Sequence, residues 1–332
     1  MKQGKFIVGL MAFGVISLFA GCGEKEDEMT KVTLNEVAHS IFYAPQYVAL
    51  ENGYFTQEGI DLELVTGYGA DKTMAAVISG DAQIGFMGAE ASVYAYLEGA
   101  NDPVVNFAQG TQRAGNLLVA REEMTDFQWS DLKGKEVLGG RKGGMPEMVF
   151  EYILKQNGLD PAKDLSIDQS IDFGSTAAAF SGGKGEFTVE FEPAATTLEK
   201  NGDGYVVASL GVDSGYVPYT SYSAKTSYIE KHPEIIQAFT DGLQKGVDYV
   251  NSHTAEEIAK VIQPQFKEND LDTITTIVER YQSQDTWKEN LVFEKESFEL
   301  LQDILESAGE LEKRADYDDL VTTVYAKEAM KK

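Results

Sequence analysis

From Lys31 onward, apolar runs of strand length alternate with segments of helical period, the order of an α/β protein with largely parallel sheets. The first unit predicts a strand over Val32–Val37, a loop carrying His39, Phe42 and Tyr43, and a helix with Pro45 in its first turn that stops at Asn52-Gly53. Ile60, Leu62 and Leu64 then alternate with Asp61 and Glu63, so a strand with one buried face follows. Tyr54 and Phe55 fall in the turn between helix and strand, at the end of the sheet opposite the first loop, where they read as core packing. Gly67-Tyr68-Gly69 makes the next loop, with Asp71 as N-cap of a helix that runs through Ile78 and stops at Gly80. A strand over Ala82–Phe86, a tight turn Met87-Gly88-Ala89, a helix over Glu90–Leu97 and a strand over Val104–Phe107 complete this part.

The rhythm restarts after the apolar run Leu117-Leu118-Val119-Ala120. Asp131-Leu132-Lys133-Gly134-Lys135 is a turn feeding a strand, and a glycine-rich loop from Gly139 to Gly144 leads into a helix over Pro146–Asn157. Strands near Ile167, over Phe187–Phe191 and over Tyr205–Ser209 follow, with Pro193 opening a helix between the last two. The remainder is helical: Pro233–Asn251, a segment opened by a capping box from Thr254 to Glu257, and amphipathic stretches over Leu271–Tyr281 and Ser297–Ile304. A helical tail of this kind packs back on the first lobe. The expected division is therefore a discontinuous lobe of residues 31–119 plus 214–332 and a second lobe of residues 120–213, joined by two crossings that leave a cleft.

The N-terminus changes the picture of where this fold works. Lys2 and Lys5 precede an apolar run from Phe6 to Ala20 that ends in Phe19-Ala20-Gly21-Cys22, the pattern of a bacterial signal peptide with a lipoprotein cleavage box. The run is shorter than the roughly 20 apolar residues of a spanning helix. It predicts a leader of residues 1–21, a lipid anchor on Cys22, a charged tether of residues 22–30, and a protein held at the outer face of the bacterial cell membrane. Cys22 is the only cysteine, so no disulfide, thiolate metal site or cysteine nucleophile is expected. The three histidines, His39, His232 and His253, lack metal spacing. A formal charge of −26 repels nucleic acid and anionic headgroups. The 43% of hydrophobic residues suffices for a sizeable core. A monomer without cofactor or catalytic residues is the expectation.

Several segments together resemble one family. Ala44-Pro45-Gln46-Tyr47-Val48-Ala49, Asn52-Gly53-Tyr54-Phe55, Glu58-Gly59-Ile60 and Gly80-Asp81-Ala82-Gln83-Ile84-Gly85 are followed by Asp131-Leu132-Lys133-Gly134-Lys135, Phe191-Glu192-Pro193 and His232-Pro233-Glu234. In this order they are similar to type II periplasmic solute-binding proteins of ABC importers, in the branch that takes up thiamine pyrimidine precursors, alkanesulfonates, taurine and nitrate. The resemblance spans the whole mature chain. It implies a two-lobe fold that closes over a small molecule and hands it to a membrane permease. A synthase of thiamine pyrimidine on the same fold carries a cysteine-rich motif that this chain lacks.

In open α/β sheets ligands sit beyond the carboxyl ends of strands, against helix N-termini. Four loops qualify: His39 to Tyr43, Met87 to Glu90, Gly139 to Met145, and Glu190 to Pro193. Phe42 and Tyr43 read as a stacking platform or as a cap on the core beneath them. Glu90 reads as a favourable first-turn acid or as a ligand contact beside Met87. Arg141, in the glycine-rich loop with Met145 at its end, reads as an anion contact or as a partner of Glu147 or surface acids. Glu190 and Glu192 bring two carboxylates to a strand end, sharing a face only if the strand persists to Glu192. Tyr219 lies where the chain crosses back between lobes. Aromatics, methionines and carboxylates suit a flat heterocycle bearing amine or ring N–H donors better than an oxyanion. An aminopyrimidine precursor of thiamine fits that inventory best, with alkanesulfonate, taurine or nitrate as the alternative. Glu192→Gln is accordingly expected to weaken binding more than Glu58→Gln.

Overall fold

A computed structural model describes residues 29–332 except Phe173. The expected leader and Cys22 lie outside the described residues, as does the tether up to its last two positions, and Thr30 already pairs with Ile60.

Among the described residues, ten strands form two mixed five-stranded sheets. The first contains β1 (Thr30–Glu36), β2 (Ile60–Thr66), β3 (Ile84–Met87), β4 (Val104–Thr111) and, from far along the chain, β10 (Thr220–Lys225), in the order β2-β1-β3-β10-β4. The second contains β5 (Leu117–Ala120), β6 (Glu136–Leu138), β7 (Ser166–Asp168), β8 (Phe187–Glu190) and β9 (Tyr205–Ser209), in the order β7-β6-β8-β5-β9. β1 runs parallel to β2 and β3, and β6 runs parallel to β7 and β8. The sheets are less purely parallel than the strand-helix rhythm predicts. β10 is antiparallel to β3 and β4, and β5 is antiparallel to β8 and β9. These two reversed strands follow the crossings between sheets, at residues 112–116 and 210–219. The first crossing therefore ends before Leu117, slightly earlier than the expected boundary at residue 120.

Local chemistry accounts for the elements. Strands β3, β5 and β8 are buried along their whole length, whereas edge strand β2 alternates as its sequence does. The helix Ala44–Glu51 starts with Pro45 in its first turn and ends at Asn52, after which Gly53 takes φ 67° to reverse the chain. Thr254 and Glu257 form the predicted reciprocal capping box. Asp71 differs from its expected role: Gly69 occupies the cap position of the helix Ala70–Ser79, and Asp71 lies within its first turn.

The helical tail returns to the first sheet. In the helix Pro233–Ser252, Ile236, Phe239, Leu243, Val247 and Val250 recur at helical spacing and are buried. Phe239 stacks on Phe55 with centroids 5.0 Å apart, the core role expected of Phe55. Gly246 lets this helix lie against the first one, because a Cβ there would overlap the Pro45 carbonyl oxygen. The helix Lys295–Ala308 contacts both the helix Glu90–Leu97 and the helix Met145–Gln156, so it spans from one sheet's helices to the other's.

Candidate functional site

A cavity enclosing about 610 Å³ of space, open solvent included, lies between the two sheets. Its walls come from the carboxyl ends of five parallel strands. Val37 follows β1, Gly69 and Ala70 follow β2, Gly88 and Glu90 follow β3, Gly140, Arg141, Gly144, Met145 and Pro146 follow β6, and Phe191 follows β8. Tyr43 and the returning segment Tyr219-Thr220 complete it. Strand ends converge in this way because each β-to-helix turn leaves its helix N-terminus facing the same side.

Five of the nine sequence-predicted site residues line this cavity: Tyr43, Glu90, Arg141, Met145 and Tyr219. Tyr43 is buried and meets Phe86 edge-on, with centroids 4.5 Å apart. The Tyr219 hydroxyl donates to Asn116 Oδ1. Burial holds both phenols well above their ordinary pKa, so both present neutral rings.

Glu90 is the most unusual group in the cavity. It is 3% exposed, and its Oε2 has no hydrogen-bond partner. Burial pushes its pKa up to about 7, against the opposing pull of its own N–H, the Arg141 charge and the Met145 N–H. Its carboxyl folds back over Gly88, where a Cβ would overlap both carboxyl oxygens. Glycine at position 88 is thus what gives this acid its place. Arg141 approaches Asp71 across the cleft at 3.8 Å, with both side chains more than half exposed. Its partner is therefore the acid of the opposite wall, not Glu147, which accepts from Gly143 N at 3.2 Å and from Gln169 Nε2 at 2.5 Å.

The structure places the other four predicted residues elsewhere. Phe42 is fully buried behind the wall, ringed by Tyr43, Phe191, Tyr219 and Tyr281 at centroid distances of 5.1 to 5.9 Å. It supports the aromatic wall and does not itself line the cavity. Met87 packs in a satellite core with Met74, Val77, Ala82, Ala91 and Val104. Glu190 is buried at the end of β8 and accepts from Thr188 Oγ1 at 2.6 Å, with its pKa pushed up to about 7 by burial. Glu192 is tied to Arg280 and accepts from Thr196 N and Thr196 Oγ1, each at 2.9 Å. β8 ends at Glu190. Alternation therefore stops there, and the residue delivered to the cavity is the one between the two acids, Phe191. Its place in an aromatic-acid-proline run is the only sequence signal it gives.

His39, the one histidine in a candidate loop, also serves the fold. Its ring bonds Glu36 and the Gln265 carbonyl, each at 2.9 Å, and stacks on Phe266. Among the described residues, no cluster of His, Cys, Asp and Glu is arranged to hold a metal ion.

Residues 41–257 match the family model described as NMT1/THI5 like. The chain belongs to the NMT1/THI5-like family. A Bacillus subtilis (strain 168) relative carrying the name "Putative binding protein YtlA" is 44% identical over 317 residues, 95% of each chain. Two solved structures show the fold. The ligand-binding component of an ABC-type import system from Staphylococcus aureus, with zinc bound, matches at TM-score 0.73 and 17% identity, covering 91% of this chain and 99% of that one. The alkanesulfonate-binding protein SsuA from Xanthomonas axonopodis pv. citri, bound to MOPS, matches at TM-score 0.73 and 15% identity, covering 90% and 99%. The two-lobe periplasmic-binding-protein architecture expected from the sequence is therefore the family fold.

Proposed function

We propose that this protein is the extracytoplasmic solute-binding component of an ABC importer. In this reading it captures a small planar heterocycle between its lobes and delivers it to a membrane permease, without catalysing a reaction. Family membership, the YtlA relative's name and the import-system neighbours support the transport role. The expected lipid anchor on Cys22 would keep the monomer at the outer face of the cell membrane.

The ligand assignment rests on one observation: a buried carboxyl with an unpartnered oxygen, Glu90, set in a cavity walled by Tyr43, Phe191 and Tyr219. Aromatic rings offer faces for stacking, and a carboxyl oxygen lacking a donor is complementary to an amine or ring N–H. A thiamine pyrimidine precursor of the hydroxymethylpyrimidine type supplies both. The sulfonate or nitrate reading draws support from SsuA among the neighbours and from Arg141 in the wall. Arg141 is turned toward Asp71, however, and a carboxyl beside it disfavours a bound anion.

Thermal-shift titration separates the two readings. Stabilisation by 4-amino-5-hydroxymethyl-2-methylpyrimidine is expected, by about 2.7 kcal/mol at a concentration 100 times the dissociation constant. Stabilisation only by taurine, alkanesulfonates or nitrate would sink the pyrimidine assignment and leave the transport role standing.

A further inference from the structure

A helix N-terminus facing a cavity is a ready anion site, because its first N–H groups are unsatisfied and carry partial positive charge. Two such ends meet here, one from each lobe. The helix Glu90–Leu97 begins after Ala89, and the helix Met145–Gln156 begins after Gly144; neither receives a side-chain cap from the residue before it. Glu90 and Met145, their first residues, both line the cavity. Such an arrangement, with Arg141 alongside, would ordinarily draw a sulfonate or nitrate.

The place is already taken by the protein's own anion. The Glu90 carboxyl folds back over Gly88, in front of its own helix. Burial opposes its charge, while the N–H groups of Glu90 and Met145 and the charge of Arg141 pull toward the ionised form, which prevails above about pH 7. The side chain is buried, yet Oε2 has no donor. The carboxyl thus stands where a bound oxyanion would, with one oxygen left over for a ligand.

We propose that Glu90 determines specificity as a built-in anion: it occupies the two helix N-termini, excludes oxyanion ligands from the cavity, and leaves Oε2 to accept a hydrogen bond from a donor-bearing ligand. Gly88 is the enabling residue, since any side chain there would push the carboxyl out. Removing the carboxylate then opens the same site to the anions that it now repels. This inference rests on the cavity being the ligand site, but not on the pyrimidine assignment.

The test is titration of wild type, Glu90→Ala and Glu90→Gln with methanesulfonate and with nitrate. It is run at pH 8 and constant ionic strength, read by thermal shift and calorimetry. Wild type should ignore both anions. At least one variant should bind one of them with an affinity raised by about tenfold or more, the scale of a relieved like-charge contact. Glu90→Gln should melt no lower than wild type without ligand, because burial already opposes the charge that it removes. Glu90→Gln keeps the shape of the side chain and so guards against loss of folding in Glu90→Ala. The proposal is overturned if wild type binds the anions as tightly as the variants, if folded variants gain no anion affinity, or if both variants melt well below wild type. Pyrimidine binding by wild type is scored separately. A protein that ignores the pyrimidine yet gains anion affinity on Glu90→Ala loses the pyrimidine assignment and keeps the exclusion.

Discussion

At the scale of single residues, the segment Glu190-Phe191-Glu192 shows how neighbours divide between ligand and fold. Phe191 lines the cavity, while Glu192 is held by Arg280 and Thr196 on the other side of the chain. Phe191→Leu should weaken ligand binding by about 1 kcal/mol, the worth of an aromatic contact, while its apolar bulk keeps most of the packing against Phe42 and so most of the unfolding midpoint. Glu192→Gln should do the reverse. It breaks a buried, charge-assisted pair and should lower stability by on the order of 2 kcal/mol, leaving ligand affinity near wild type in calorimetry. Loss of binding in the Glu192 variant at unchanged stability would restore the sequence-based expectation that this acid reaches the cleft. Sequence alone proposed the two acids because acids look functional at a strand end. Which of three consecutive side chains turns inward depends on where the strand stops, and that is set by pairing with β5 and β6 across long stretches of chain.

At the scale of elements, strand ends and helix starts concentrate buried carboxyls whose ionisation the fold opposes. Burial pushes Glu90 and Glu190 up to about 7 and Glu147 up to about 8, against an ordinary value of 4.5. In the unfolded chain all three ionise near 4.5, so between that pH and about 8 the folded protein binds more protons than the unfolded one. Stability must then fall as pH rises through this window. His39 acts in the same direction. Burial opposes its charge, but hydrogen bonds to Glu36 and the Gln265 carbonyl prevail and raise its pKa, so its contribution is complete below 6.5 and is lost as pH rises past its folded value. Stability, followed as the melting temperature, should therefore decline from about pH 5 to about pH 8, by on the order of 3 kcal/mol each for Glu90 and Glu190. Glu190→Gln should flatten the profile. A melting temperature that climbs across this range would show that these carboxyls are not opposed by the fold.

At the scale of the whole molecule, two sheets joined by two short crossings leave one cleft, and the exposed contact of Arg141 with Asp71 bridges it. An exposed pair of that kind contributes little, typically about 0–1 kcal/mol, so it adds little to closure over a ligand. Saturating pyrimidine should accordingly reduce the radius of gyration in small-angle scattering, and Arg141→Gln should leave that reduction largely intact. Binding with an unchanged radius would mean capture without closure. The element sequence, the helix over Glu90–Leu97, the Thr254–Glu257 box and the loops that carry the cavity were legible in the chain. They follow from local period, caps and glycines, which act over a few residues. Tertiary structure alone decided the reversed strands β5 and β10, the retreat of Phe42 and Met87 into the core, and the folding of Glu90 over Gly88 between two helix starts. Each of those depends on contacts between segments far apart in sequence. No local pattern encodes which buried group is left without a partner, and Glu90 in the cavity wall is one such group.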